Sequence, residues 1–127
     1  MTFTKFIQAA AVTAALLAAG SVQAAPNLVI NGSFENLGLG HPALADGTWS
    51  TYDYIQGWAS LTHGIEVRNN VAGQADAGKY FVELDTNQNS SMSQDILNTH
   101  FGKSYTLTFD IQDRAGVPTS SQGIEVL

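Results

Sequence analysis

The chain has 127 residues, no cysteine, and 11 acidic against 5 basic side chains, which give a formal net charge of −6. One domain is expected at this length. The acidic balance argues against nucleic acid and anionic membranes as partners, because both repel a negatively charged protein. The lack of cysteine excludes disulfide bonds, thiol nucleophiles and cysteine-bound zinc. The fold must therefore be stabilised by core packing or by a metal ion that cysteine does not bind.

Met1–Ala24 has the pattern of a secretory signal peptide. Lys5 supplies the positive start, residues 9–19 form an apolar run, and Val22–Ala24 matches a small-residue cleavage site. The apolar run falls short of the ~20 residues that span a bilayer, so a membrane anchor is the less favoured interpretation. The sequence therefore predicts a secreted protein, cleaved after Ala24, whose mature domain occupies residues 25–127 and is not inserted in a membrane.

The first half of the mature domain alternates strand-like runs with polar loops. Leu28 and Ile30 alternate with their neighbours in a predicted opening strand, after which Phe34 re-enters the core. The glycine-rich stretch 36–48 is longer than most connections, which makes it a candidate binding loop. Further strands are predicted within 49–60, with a break at Gln56 and Gly57, and over 64–69, before a loop over 70–78.

The clearest strand pattern lies in the second half. Tyr105–Gln112 places apolar residues at every second position, the period of a strand with one buried face. Residues 80–85 and 91–96 alternate in the same way, and a shorter run covers 122–127. With about seven or eight short strands and no helical period, the sequence predicts an all-β, two-sheet antiparallel β-sandwich. Because the chain stops within the last run, we expect the domain to be incomplete at its C-terminus.

Four aromatic side chains fall between Trp49 and Trp58. Flat aromatic rings can cover the apolar C–H face of a sugar while polar neighbours bind its hydroxyl groups. Trp49, Tyr52 and Tyr54 lie beside the long loop and are candidates for this role, with a structural role as the alternative. Trp58 follows a glycine in a strand, so we favour a core position for it.

Charged side chains also share strand faces. Glu66 and Arg68 lie two residues apart on one strand, as do Glu83 and Asp85 on another. Such pairs could bind sugar hydroxyls or a cation, and a solvated strand face is the simpler alternative. The chain has no Gly-x-Ser-x-Gly frame, no phosphate-binding glycine loop and no paired-histidine metal motif. We therefore predict no catalytic site.

An ordered set of motifs adds a resemblance to a known family. The motifs are NLVINGSFE at 27–35, IQGW at 55–58, GIEV at 64–67, KYFVELD at 79–85, SMSQDI at 91–96 and SYTLTFD at 104–110. Together they resemble the galactose-binding-like jelly-roll superfamily. Within it, the chain is similar to the secreted domain of unknown function of plant cell-wall proteins and of bacterial proteins with a PEP-CTERM sorting tail, and to carbohydrate-binding modules.

The resemblance implies a two-sheet jelly roll without catalytic activity that associates with polysaccharide. It also implies a structural calcium ion near the opening strand, for which Glu35 is the matching ligand. Asp46, in the long loop, is a weaker candidate for the same ion, because calcium prefers oxygen ligands. Relatives complete the site with an acidic residue near the C-terminus of the domain, a position that this chain does not reach.

The sequence thus predicts a secreted, non-catalytic, carbohydrate-binding-like module that associates with polysaccharide or exopolysaccharide. Its predicted contacts are Trp49, Tyr52, Tyr54, Glu66 and Arg68. The alternative is a structural protein of the cell surface or extracellular matrix, of the PEP-CTERM-sorted type, anchored through a C-terminal tail and lacking a defined sugar pocket. A third possibility is an accessory module of a carbohydrate-active enzyme.

Overall fold

The computed structural model describes residues 26–127. The predicted signal peptide, Met1–Ala24, lies outside the described residues. Within residues 26–127, no helix has the length and apolar character needed to cross a membrane.

Six short strands within this described part of the chain form two antiparallel sheets of three strands each. The strand order is β1-β4-β5 in the first sheet and β2-β3-β6 in the second. This arrangement confirms the predicted all-β, two-sheet antiparallel sandwich. The strands are β1 Thr48–Tyr52, β2 Tyr54–Ile55, β3 Trp58–Thr62, β4 Ile65–Asn69, β5 Tyr80–Glu83 and β6 Ser91–Ser93, and a 3-10 turn follows at Thr119–Ser121.

The chain passes from one sheet to the other at two tight corners. Asp53 alone separates β1 from β2, and His63 and Gly64 separate β3 from β4. Gly64 has a φ of +86° and is packed so closely against Thr51 that a Cβ atom would overlap the threonine methyl group. Glycine is therefore required here, because it alone combines a left-handed backbone with this close approach.

The core lies between the two sheets. Its central side chains, Ile55, Ile65 and Val67, are fully excluded from solvent. Trp58 packs against this cluster, as expected from the sequence. The remaining buried apolar residues are Leu37, Tyr52 and Tyr80, and partly buried Phe34, Leu44, Val82 and Met92 pack around them.

The predicted opening strand is not a strand in the structure. Residues 26–29 have no regular structure, and a turn follows at Ile30–Ser33. Asn31 and Phe34 have positive φ values of 51° and 62°, which no continuous strand tolerates. The side chain of Gln94 instead supplies the partner that a strand would have given: its Oε1 accepts from Ile30 N at 2.7 Å and its Nε2 donates to Ile30 O at 2.8 Å.

The strands predicted over Tyr105–Gln112 and 122–127 are also absent. Neither segment has assigned secondary structure, and neither joins a sheet among the described residues. The apolar side chains of the first segment are about half exposed, from 51% for Tyr105 to 56% for Ile111. A strand requires a paired backbone as well as alternating side chains, and within residues 26–127 neither segment pairs with a neighbouring strand.

Candidate functional site on the charged face of the first sheet

The first sheet turns one face toward the core and the other toward a cluster of charged side chains. In the register of β1, β4 and β5, Trp49 lies opposite Arg68, and Arg68 opposite Phe81. The next row on the same face contains Thr51, Glu66 and Glu83. Because side chains alternate along a strand, these rows lie opposite to the core residues Ile65 and Val67. We call this surface the charged face.

Ion pairs link four side chains on the charged face. Arg68 Nη2 lies 2.5 Å from Glu66 Oε1, and Arg68 Nε lies 2.5 Å from Glu83 Oε2. Arg114 reaches the same carboxylate from the C-terminal segment, with 2.8 Å between its Nη1 and Glu83 Oε1. The cluster therefore joins two neighbouring strands to a segment far along the chain.

The part of this cluster formed by Glu66 and Arg68 is covered by protein, whereas the Arg114 side chain is exposed. Glu66 and Arg68 retain only 2% and 6% of their solvent exposure. The loop after β4 contributes to the cover, since Arg68 Nη1 donates to Val71 O at 3.4 Å. Burial raises the pKa of Glu66 above its usual value of 4.5, and attraction to Arg68 opposes this change. Arg68 therefore links the side chains of β4 and β5 through its ion pair with Glu83.

The five predicted sugar contacts do not form one surface. Trp49 and Tyr54 are exposed, at 54% and 48%, as expected for rings that could stack on a sugar. Tyr52 is 8% exposed, and His41 packs edge-on against its ring with 4.7 Å between centroids. For Tyr52 this burial favours the structural alternative over the predicted sugar contact, because its side chain points to the core face of β1. Glu66 and Arg68 are buried. The predicted ligand contact and the alternative of a solvated strand face therefore both need correction for this pair.

The sequence already contained a signal for the position of Tyr52. Trp49 and Tyr52 are three residues apart on one strand, and an odd separation places side chains on opposite faces. Both could not therefore serve one binding surface. Arg114, by contrast, had no local signal, because its pairing with Glu83 depends on how the C-terminal segment crosses the sheet.

Glu35, the predicted calcium ligand, binds backbone amides. Its Oε1 accepts hydrogen bonds from Lys79 N at 2.7 Å and Tyr80 N at 2.9 Å, where β5 begins. Gly78 makes room for the carboxylate, since a Cβ atom at this position would overlap it. The described residues contain no group of three or more His, Cys, Asp or Glu side chains placed to hold a metal ion. Calcium at Glu35 therefore stays a prediction.

Asp46, the second candidate calcium ligand, accepts a hydrogen bond from Asn70. Asn70 Nδ2 donates to Asp46 Oδ1 at 2.5 Å, and both side chains are exposed. Gly47 N also donates to Asn69 O, at 2.9 Å. These bonds place the end of the long loop beside the end of β4, in the part of the sheet where Trp49 lies.

Three of the six motifs that carried the family resemblance, at 27–35, 55–58 and 91–96, meet in one hydrogen-bonded cluster. Asn31 donates through Nδ2 to Asn36 O and to Gln56 O, both at 2.9 Å. The Trp58 indole donates to Asn31 O at 3.2 Å, and Gln94 donates to Gly57 O at 2.8 Å. These residues therefore have a structural role that links the N-terminal segment to the second sheet.

Comparison with known proteins gives two partial matches. The Multifunctional-autoprocessing repeats-in-toxin of Vibrio cholerae serotype O1 is 36% identical over 108 residues, which are 84% of this chain and 2% of the toxin. The protein of the same name from Vibrio vulnificus is 36% identical over 107 residues, which are 81% of this chain and 2% of that protein. The chain thus spans about one fiftieth of the length of these curated relatives. No family model matches it, and no solved structure does.

Proposed function

We propose that the domain is a secreted, non-catalytic module that binds polysaccharide, with Trp49 as its central contact. The exposed indole of Trp49 is the observation that carries the proposal. It stands on a strand that is paired along its whole length with β4, and the buried ion pairs of Arg68 lie beside it on the same face of the sheet. A half-exposed ring on a rigid strand offers a flat apolar platform at low entropic cost.

Polar groups at the end of the sheet where β1 begins and β4 ends could bind the sugar hydroxyls. Asp46 and Asn70 are exposed and already hydrogen-bonded to each other, so each is held in place while part of its capacity remains free. The buried residues Glu66 and Arg68 act in this proposal as supports of the platform. Tyr54 provides a second exposed ring, in the other sheet.

The similarity to segments of two very large proteins supports a module. The matching segment is about 2% of each relative, and a segment of domain size within a long chain is typical of an accessory unit. The similarity does not distinguish between a carbohydrate-binding module and a structural unit of a surface protein. The exposed apolar side chains of Tyr105–Gln112 favour the second candidate, a surface or matrix structural protein.

Retention on immobilised polysaccharides tests the proposal. The full chain and its Trp49→Ala variant are run through gels that contain each of a panel of neutral and acidic polysaccharides. We expect the variant to bind on the order of tenfold more weakly, because loss of a central aromatic contact commonly costs 1 kcal/mol or more. Its melting temperature should stay within about 2 °C of the wild type, since a half-exposed side chain contributes little to the core.

Phe101→Ala is the matched control, because Phe101 is fully exposed and lies in a turn away from the charged face. It should bind as the wild type does. Equal retention of wild type and Trp49→Ala on every polysaccharide that retains the wild type would refute the assignment. Tyr52→Ala is unsuitable for this test, because the buried ring supports the fold.

A further inference from the structure

The free edge of β5 and the strand-like segment Tyr105–Gln112 both line one open cleft. Its volume is about 1700 Å³, and its lining includes Val82 of β5 together with Leu107 and Phe109 of the segment. The apolar side chains on the segment side remain about half exposed. A cleft of this size between a sheet edge and a strand-like segment has room for another chain.

Both walls of the cleft present unpaired backbone. Among the described residues β5 pairs with β4 alone, on its inner side. The Tyr80 amide points to the outer side, where Glu35 accepts it, so the N–H and C=O of Val82, two residues further, point outward as well. On the opposite wall, residues 104–113 form no backbone–backbone hydrogen bond within the described chain.

The charged side chains that line the cleft indicate which kind of polypeptide could bind there. Arg114 is the one basic side chain on the lining, and Glu83 already pairs with it. A second copy of this protein is a poor occupant, because its own strand-like segment, Tyr105–Gln112, carries Asp110 and no basic residue. The carboxylates of the lining are Asp76, Glu83, Asp85, Asp110, Asp113 and Glu125.

We propose that this cleft binds an extended polypeptide segment in which apolar and basic residues alternate. The segment would pair with the outer edge of β5 and cover the apolar side chains of Tyr105–Gln112. Main-chain hydrogen bonds would supply affinity, and the alternating side chains would supply specificity, as in other cases of strand addition to a sheet edge. The basic residues would meet the carboxylates of the lining.

A labelled peptide of alternating valine and lysine, about eight residues and ~27 Å long when extended, is the probe. Binding to the full chain is followed by fluorescence anisotropy at low and high salt. We expect saturable binding that weakens with salt, and a valine–glutamate peptide should bind at least about tenfold more weakly because of like-charge repulsion. A peptide of the same composition with its valines contiguous should also bind more weakly, since it cannot present one apolar face.

Hydrogen exchange locates the bound peptide. Addition of the valine–lysine peptide should slow exchange at Val82 and at residues 105–111, and the Phe109→Asn variant should weaken binding while Phe101→Asn does not. Equal binding of the alternating and contiguous peptides would overturn the proposal, as would binding without protection at Val82. A stable dimer of the free protein with the same amides protected would assign the cleft to a second copy and likewise overturn it.

Discussion

The buried carboxylate of Glu66 links stability to pH. Burial raises the pKa of this side chain above 4.5 in the folded protein, while the unfolded chain keeps the ordinary value. Just above pH 4.5 the folded state therefore holds a proton that the unfolded state has lost. The contribution of Glu66 to the free energy of unfolding is therefore highest below pH 4.5. It declines as the pH rises through the pKa that Glu66 has in the folded protein.

Glu66→Gln should remove this contribution. We expect its free energy of unfolding to decline less than that of the wild type between about pH 4.5 and 7, because the amide has no proton to lose in that window. Urea unfolding at a series of pH values measures the difference. Glu125→Gln, at an exposed position, controls for the loss of one negative charge. Parallel profiles for wild type and Glu66→Gln would contradict the prediction.

Glu35 contributes to stability through the two amides that it accepts. Glu35→Ala should lower the free energy of unfolding by about 1–2 kcal/mol, since two charge-assisted hydrogen bonds are lost at a partly solvated site. Glu35→Gln keeps an acceptor oxygen and should lose less.

Thermal melts with calcium and with a chelator test the calcium prediction at the same residue. A calcium-dependent rise in melting temperature that Glu35→Gln abolishes would support a calcium site that includes Glu35. No response of the wild type to calcium would count against the site.

Among the structural elements, the link between Ile30 and β6 depends on one side chain. Gln94 makes three hydrogen bonds, to both backbone groups of Ile30 and to Gly57 O. Gln94→Ala should cost on the order of 1–3 kcal/mol, because it leaves these backbone groups without their partner. Exchange of the Ile30 amide should become faster in the variant. Asp95→Ala, at the neighbouring exposed position, is the control, and an equal loss in both variants would argue against a special role for Gln94.

Side-chain periodicity predicted the strands whose partners lie nearby in the fold. The strands within 49–60, 64–69, 80–85 and 91–96 all occur, and the predicted break at Gln56 and Gly57 separates β2 from β3. Tyr105–Gln112 has the clearest alternation and forms no strand. Alternation reports only on side chains, whereas a strand also depends on a neighbouring backbone, which the sequence does not specify.

In the candidate site, too, local side-chain alternation could be predicted from the sequence, whereas contacts between distant segments could not. Alternation correctly places Glu66 and Arg68 on one face of β4. Their burial could not be predicted, because it results from the loop after β4 and from Arg114 in the distant C-terminal segment. The positions of Asn31 and Gln94 lie in recognisable motifs, but only the fold shows that these motifs bind each other.

At the scale of the whole described chain, residues 26–127, the six strands all precede Lys103. The four basic residues of the described chain are Arg68, Lys79, Lys103 and Arg114. Limited trypsin digestion should therefore cut first at Lys103 and Arg114, because their surroundings have no ladder of backbone hydrogen bonds to open. Arg68 is buried in β4 and should resist.

Mass spectrometry of the early fragments measures this order of cleavage. The fragment that ends at Lys103 should persist, since it contains both sheets. Lys103→Gln should abolish that fragment, because trypsin cleaves only after lysine and arginine, and leave cleavage at Arg114 unchanged. Early cleavage at Arg68 would show that the first sheet opens as readily as the C-terminal segment.

The hydrogen bonds between Ile30 and Gln94 also determine the order in which parts of the domain can fold during synthesis. The two residues are 64 positions apart in the chain, and at about 5–20 residues per second a ribosome needs on the order of 3–13 s to make that length. Two other residues that bind the N-terminal segment, Gln56 and Tyr80, are also synthesised after that segment. The part of the domain that is synthesised first therefore becomes structured late, and Leu28 and Val29 stay uncovered until the second sheet has formed.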